Sequence, residues 1–239
     1  MTEKSHDPDT LAFYDAEAEA YAARGDRTDA SDPLRAFLAR LAPGAHVLDL
    51  GSGDGRHSAA MIEAGFEVTP LDGSAGLAAI ASRRLGKQVR IMRFEEIEDS
   101  AAFDAIWAHA SLLHMPRDAV PGILARLHRA LKPGGRLFAS FKAGGSEGRD
   151  TLGRYYNYPS KEDLASWFAA SAAWSGVEIE ESKGGGYDRK PTDWLILQAV
   201  KPSCRQPGIS LLPTLPPAPY THPTLPTIHS VYISAVPLL

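Results

Sequence analysis

The segment HVLDLGSGDG, His46 to Gly55, constrains this chain more than any other. Val47, Leu48 and Leu50 are apolar and β-prone, which predicts a buried strand. Gly51, Gly53 and Gly55 follow at alternate positions, and RHSAAMIEAG behind them predicts a helix. A strand, a glycine turn and a helix in succession bring main chain close to a nucleotide-like ligand. Glycine lacks a Cβ, so the turn can take positive φ and the ligand can approach the backbone.

Two readings of this turn compete. A dinucleotide fold asks for G-x-G-x-x-G, with its third glycine where this chain has Arg56. The spacing here is G-x-G-x-G, preceded by Asp49 in the strand end. A structural strand–helix turn in some other α/β domain is the plainer alternative. The next predicted strand, 66–71, narrows the choice because it ends in Asp72, about twenty residues past the glycines. A carboxylate at that tip can accept hydrogen bonds from both ribose hydroxyls of a nucleoside. Nicotinamide enzymes use the same device, so Asp72 indicates a nucleoside cofactor without choosing one.

The pattern D-L-G-S-G-D-G resembles the first motif of class I S-adenosylmethionine-dependent methyltransferases. ALKPGGRL, 130–137, is similar to the helix–turn–strand before the fifth strand in many of them. The resemblance covers residues 10–201. It extends to a bacterial subgroup related to tellurite-resistance methyltransferases, which usually carries Cys where this chain has Ser52, a similarly small residue. The resemblance implies an α/β fold: a doubly wound, seven-stranded, mostly parallel, Rossmann-like sheet with N-terminal helices and a last hairpin-like pair as an antiparallel edge. It implies S-adenosyl-L-methionine as cofactor. Asp49, Gly51, Ser52 and Gly53 would form the turn beneath it, with Asp72 and Gly73 at the ribose. Phe94 would stack on the adenine while its amide or the Glu95 side chain reads the purine edge; a core Phe followed by a solvated acidic helix start is the alternative. Ala108 would border the crevice at the end of the fourth strand.

Length, charge and cysteine count bound the remaining possibilities. The 239 residues suit one domain with extensions, and an apolar content of 44% can fill a core. The formal charge of −4 gives no general pull toward nucleic acid or anionic membrane. No apolar run reaches the roughly 18 residues a membrane-spanning helix needs. MTEKSHDPDT lacks the apolar stretch of a signal peptide. The single cysteine, Cys204, excludes an internal disulfide and a multi-cysteine metal site, so a reducing cytoplasm is the expected setting. The eight histidines form no H-x-x-x-H or H-x-H pair, so no metal is expected.

Along the chain, residues 1–9 are expected to be disordered. LAFYDAEAEAYAA, 11–23, predicts a helix with Tyr14 and Tyr21 two turns apart on one face. That stripe is either packing or a lid over the cofactor, as N-terminal helices of the resembled family often supply. Arg24 would then face the cofactor carboxylate. Asp32-Pro33 opens a helix whose stripe is Leu34, Phe37, Leu38 and Leu41. Ser74 caps a helix ending at Gly86, 88–93 predicts a third strand and 103–108 a fourth. A helix over 117–131 and a fifth strand over 136–141 follow. Residues 142–159 are expected to form a polar loop, a helix starts at the Ser160–Asp163 capping box, and strands cover 177–180 and 194–200. Residues 202–239 hold nine of the eighteen prolines and one charged residue, Arg205, so a disordered tail is expected.

Methyl transfer from a sulfonium asks little of side chains. In-line positioning supplies up to roughly 7–11 kcal/mol, and a base is needed only where the acceptor must lose a proton early. His109, His114 and Tyr156 are the candidates for such a base. Lys142, Arg149 and Arg154, with Tyr155 closing over, are candidates for holding a small anionic or electron-rich acceptor. The alternative makes these cations solvated loop charges paired with Glu147 or Asp150. A small-molecule acceptor is the preferred reading. An RNA or protein methyltransferase, or a non-catalytic S-adenosylmethionine-binding module, is the alternative, and the acidic balance speaks against nucleic acid.

Overall fold

Two β-α-β windings run in opposite directions from the middle of one sheet. The computed structural model describes residues 5–23, 32–185 and 191–203. Three helices lead in: α1 (Pro8–Ala16), α2 (Ala18–Ala23) and α3 (Asp32–Leu38). The first winding is β1 (His46–Leu50), α4 (Arg56–Glu63), β2 (Glu67–Asp72), α5 (Ala75–Leu85) and β3 (Arg90–Ile91). The second is β4 (Phe103–Ala108), α6 (Val120–Ala130) and β5 (Leu131–Lys142). A two-stranded ribbon, β6 (Gly148–Arg149) with β7 (Tyr155–Tyr156), precedes α7 (Lys161–Ser171), β8 (Ser175–Gly185) and β9 (Pro191–Val200).

The seven-stranded sheet runs β3-β2-β1-β4-β5-β9-β8. β1 pairs in parallel with both β2 and β4, β2 with β3, and β4 with β5. β9 is antiparallel to both its neighbours. The doubly wound, mostly parallel architecture is the expected one, and strand order reverses between β1 and β4. In open sheets of this kind, ligands bind beyond the carboxyl ends of the strands at that reversal.

Both faces of the sheet are covered, which explains its continuous apolar strands. Alternate residues point to opposite faces. Val47, Ala105, Trp107 and Phe138 pack with Leu34, Phe37 and Met61 on the side of α3 and α4. Leu48, Leu50, Ile106 and Leu137 pack with Leu124 and Leu127 of α6 on the other side. Trp107 is fully buried, with ring centroids 4.0 Å from Phe138 and 5.4 Å from Phe37.

Several boundaries differ from the sequence reading for local reasons. α1 begins at Pro8, because Asp7 caps it by accepting from the Thr10 N–H at 2.8 Å. The helix expected over 11–23 breaks at Glu17, since Asp15 is fastened to the start of α5 through Ser74 Oγ at 2.6 Å and the Gly76 N–H at 3.1 Å. The third strand shrinks to two residues pairing only with Leu71 and Asp72, which keeps that edge short. The helix over 117–131 starts at Val120 after a 3₁₀ turn, 117–119. Within 142–159 the ribbon β6–β7 replaces part of the expected loop. β8 and β9 lengthen toward each other, pairing Lys183 with Asp193 where a loop was expected. The side chain of Asp32, residues 186–190 and the tail from 204 onward lie outside the described residues.

Candidate active site

The end of β1 is tied to β2 before it turns. The Gly51 and Ser52 N–H groups both donate to the Leu71 carbonyl, at 2.8 and 2.9 Å. Gly51 has φ 74°, and a Cβ there would lie 2.5 Å from Ser111 Cβ. Only glycine lets the turn after β1 pass this close to the loop after β4.

Asp72 closes the arrangement from β2. One carboxylate oxygen accepts from the Gly53 N–H and the other from the Ser74 N–H, each at 2.8 Å. Burial dominates the electrostatics of this carboxyl and pushes its pKa up to about 6, against the pull of those amides. Asp49 behaves similarly behind the turn: burial raises it to about 7, and Ser58 Oγ donates to it at 2.6 Å.

A cleft opens beyond β1 and β4. Its floor is Gly51, Gly53, Asp72 and Gly73, and one wall is Phe94 with Glu95. His109, Ala110, Ser111 and His114 form the opposite wall. Thr10, Leu11 and Tyr14 of α1 and Tyr21 of α2 roof it. Two buried oxygens of its lining, Glu95 Oε2 and Ser111 Oγ, have no protein partner. The other Glu95 oxygen accepts from Ser5 Oγ and meets His6 Nδ1, both at 2.9 Å. An unsatisfied buried acceptor costs about 1–3 kcal/mol, so these atoms are suited to a polar ligand.

The histidines of the wall are held differently. The His109 ring lies parallel to Trp107 at 5.6 Å, and Trp107 Nε1–H donates to His57 Nδ1 at 3.1 Å. His114 sits between Tyr14 Oη, 2.9 Å from Nε2, and the Tyr155 carbonyl, 2.6 Å from Nδ1. Burial is the largest influence on both and lowers each to about 4, so both rings are neutral at pH 7.

Of the twelve residues the resemblance implied for the cofactor, eight line the cleft: Gly51, Gly53, Asp72, Gly73, Phe94, Glu95, Tyr14 and Tyr21. Asp49, Ser52 and Ala108 are buried behind it. Arg24 lies outside the described residues. Among the base candidates, His109 and His114 line the cleft, whereas Tyr156 is buried against His114 and Tyr158. Lys142, Arg149, Arg154 and Tyr155 do not line it. Arg149 pairs with Asp7 at 2.6 Å and Asp9 at 3.3 Å. Lys142 Nζ lies over the Tyr156 ring at 4.2 Å, and Tyr155 Oη donates to Glu147. Arg154 does pair with Asp150, at 2.6 Å, but as a residue only 1% exposed rather than a solvated loop charge. It also donates to Tyr14 Oη at 3.1 Å, so it is not separate from the roof. The sequence reading missed His6 and Asp7, which it assigned to a disordered terminus, and Thr10, to which it gave no role. It also missed Ser111, whose position after β4 was the available signal.

A methyltransferase domain family matches residues 47–135. A ubiquinone biosynthesis O-methyltransferase of Xanthomonas axonopodis pv. citri is 34% identical over 148 residues. That match covers 54% of this chain, and the chain spans only 61% of the relative's length. The solved 1,6-didemethyltoxoflavin-N1-methyltransferase of Burkholderia thailandensis is 27% identical, with a TM-score of 0.61 over 81% of this chain and 88% of that one. It holds 1,6-didemethyltoxoflavin and S-adenosylhomocysteine. A TehB-like methyltransferase from Corynebacterium glutamicum shares the fold, with a TM-score of 0.57 over 82% of this chain and all of that one at 24% identity. The glycine turn, the Asp72 tip and the strand order agree with these similarities, and over residues 47–135 the chain resembles the methyltransferase domain of S-adenosylmethionine-dependent enzymes.

Proposed function

We propose that this chain transfers the methyl group of S-adenosylmethionine to a small-molecule acceptor. The observation that carries the reading is Asp72. Its carboxylate is fixed at the cleft floor by the Gly53 and Ser74 amides, and each oxygen keeps lone pairs for a ribose hydroxyl. The family's cofactor fits the remaining lining. Glu95 Oε2 is a buried acceptor for the purine amino group, and Phe94 flanks the base. Gly51 and Gly53 present backbone to the amino-acid portion, with Ser111 Oγ opposite. Tyr14 and Tyr21 cover it. Asp49, Ser52 and Ala108 support the turn from behind.

When bound, the cofactor supplies a methyl already activated on a sulfonium. The chain's task is to hold the acceptor in line and exclude water, worth up to roughly 7–11 kcal/mol in well-oriented cases. His109, neutral at pH 7, offers a lone pair or N–H group that orients an acceptor beside the methyl, while both His114 nitrogens are engaged by Tyr14 and the Tyr155 carbonyl. The four residues expected to grip the acceptor act at most indirectly, as supports of the roof and ribbon. The catalytic domain is taken as residues 10–201 together with the start and cap of α1 before them, with 202–239 as an appendage. One cysteine in 239 residues supports a reducing, cytoplasmic setting. The names of the relatives support a small-molecule acceptor.

Product profiling with methyl-labelled S-adenosylmethionine tests this function. The protein is incubated separately with a small-metabolite extract, total RNA and a protein extract. Label in a low-mass organic product is expected. Label confined to RNA or protein overturns the small-molecule reading.

A further inference from the structure

Arg154 is 1% exposed, yet it belongs to a segment expected to be a surface loop. Its Nε and Nη2 donate to Asp150 Oδ2 at 3.0 and 2.6 Å, and its Nη1 donates to Tyr14 Oη at 3.1 Å. Its guanidinium lies over the rings of Phe13, Tyr14 and Tyr156, 5.2 to 5.7 Å from their centroids. This burial is costly unless the fork is fully used.

The direction of each bond around Tyr14 follows from chemistry. A carbonyl only accepts, so His114 Nδ1 carries the hydrogen that points to Tyr155 O. A neutral His114 then has its lone pair on Nε2, and Tyr14 must donate to it. A guanidinium only donates, so the Tyr14 oxygen accepts from Arg154. The sequence Arg154, Tyr14, His114, Tyr155 carbonyl is thus polarised one way, with Arg154 at its head also donating to Asp150. It joins α1 to the ribbon across sequence separations of 140 and 100 residues.

We propose that Arg154 is a positioning residue that acts through Tyr14. It fixes the Tyr14 proton on His114 and presents the Tyr14 oxygen to the cleft as an acceptor only. The fork is needed for this: one edge holds Asp150 while the other reaches Tyr14, and a single ammonium cannot do both. This role rests on the methyl-transfer reading for its purpose, since Tyr14 and His114 both line that cleft.

Long-range ¹H–¹⁵N NMR of ¹⁵N-histidine-labelled full-length protein tests the proposal at pH 7. The wild type is expected to show His114 with Nδ1 protonated and Nε2 in a hydrogen-bonded, unprotonated state. Tyr14→Phe moves Nε2 downfield, as that bond is lost. Arg154→Met moves it the same way, by at least half as much. Arg154→Lys, which keeps the charge and the Asp150 partner, does so too and serves if the Met variant does not fold. In a Tyr14→Phe background, Arg154→Lys adds nothing. An unmoved Nε2, restoration by Lys, or an equal movement in both backgrounds overturns the proposal, because Arg154 would then act as a charge or a brace. Titrating the wild-type sample with S-adenosylhomocysteine separates the two claims. Absence of binding with the NMR pattern intact removes the methyl-transfer reading, whereas binding without the pattern removes Arg154's role.

Discussion

Tyr14 Oη lies 2.9 Å from His114 Nε2, although α1 and the loop after β4 are separated by one hundred residues in the chain. The contact fastens the roof of the cleft to its wall. Deleting the hydroxyl removes this neutral hydrogen bond, worth about 0.5–1.5 kcal/mol, together with the charge-assisted one it accepts from Arg154. Tyr14→Phe is therefore expected to weaken S-adenosylhomocysteine binding by at least roughly twofold, with circular dichroism unchanged. Calorimetric titration checks this, and an unchanged dissociation constant would detach Tyr14 from the site.

The wall histidines should resist protonation. Histidine NMR titration is expected to show His109 and His114 charging near pH 4, well below an ordinary histidine. Each is neutral when folded and charged when unfolded between about pH 6.5 and 4. The unfolded state binds more protons in that window, so these two groups subtract stability as pH falls through it. His109→Gln should make the acid side of the stability curve shallower. A midpoint near 6.5 for either ring would show that water reaches it freely.

Cofactor affinity should carry the titration of Asp72. Its pKa in the free protein is raised to about 6, and ribose hydroxyls favour the ionised form. Affinity is then full above pH 6 and falls below it, approaching tenfold per pH unit. Asp72→Asn should weaken binding at pH 7.5 by roughly 1.5–3 kcal/mol and abolish the decline below pH 6. A mutant that retains the same acid decline would assign it to another group.

Gly51 cannot take a side chain cheaply. Gly51→Ala would combine a positive φ with a Cβ 2.5 Å from that of Ser111. Positive φ alone costs about 1–3 kcal/mol, so a lowered melting temperature and at least tenfold weaker cofactor binding are expected. Gly65→Ala makes a useful control, since it has positive φ but open space around it. Equal loss of binding in the two variants would mean that backbone strain alone matters.

The fold was legible where one local rule sufficed. Val47, Leu48 and Leu50 gave β1, the Ser74 hydroxyl and Gly86 bounded α5, and the Ser160–Asp163 box opened α7. The cleft floor followed from the spacing of Gly51, Gly53 and Asp72. The roof did not, because its bonds join residues far apart in sequence. Asp7-Pro8 carries the same local start signal as Asp32-Pro33, but nothing local tells that Asp7 also pairs with Arg149, or that Arg154 is buried under α1. A run of polar and charged residues reads as a solvated loop until its partners are known. The split of the N-terminal helix at Glu17 has the same origin, since it depends on Asp15 reaching Ser74.

The cleft over Gly51, Gly53 and Asp72 is built for S-adenosylmethionine in this reading, and isothermal titration of the full-length protein with S-adenosylmethionine and, separately, with NAD is the decisive measurement. Saturable one-to-one binding of S-adenosylmethionine is expected, lost or strongly weakened in Asp72→Asn, with no heat from NAD. Saturable binding of NAD with none of S-adenosylmethionine would overturn the assignment of this cleft.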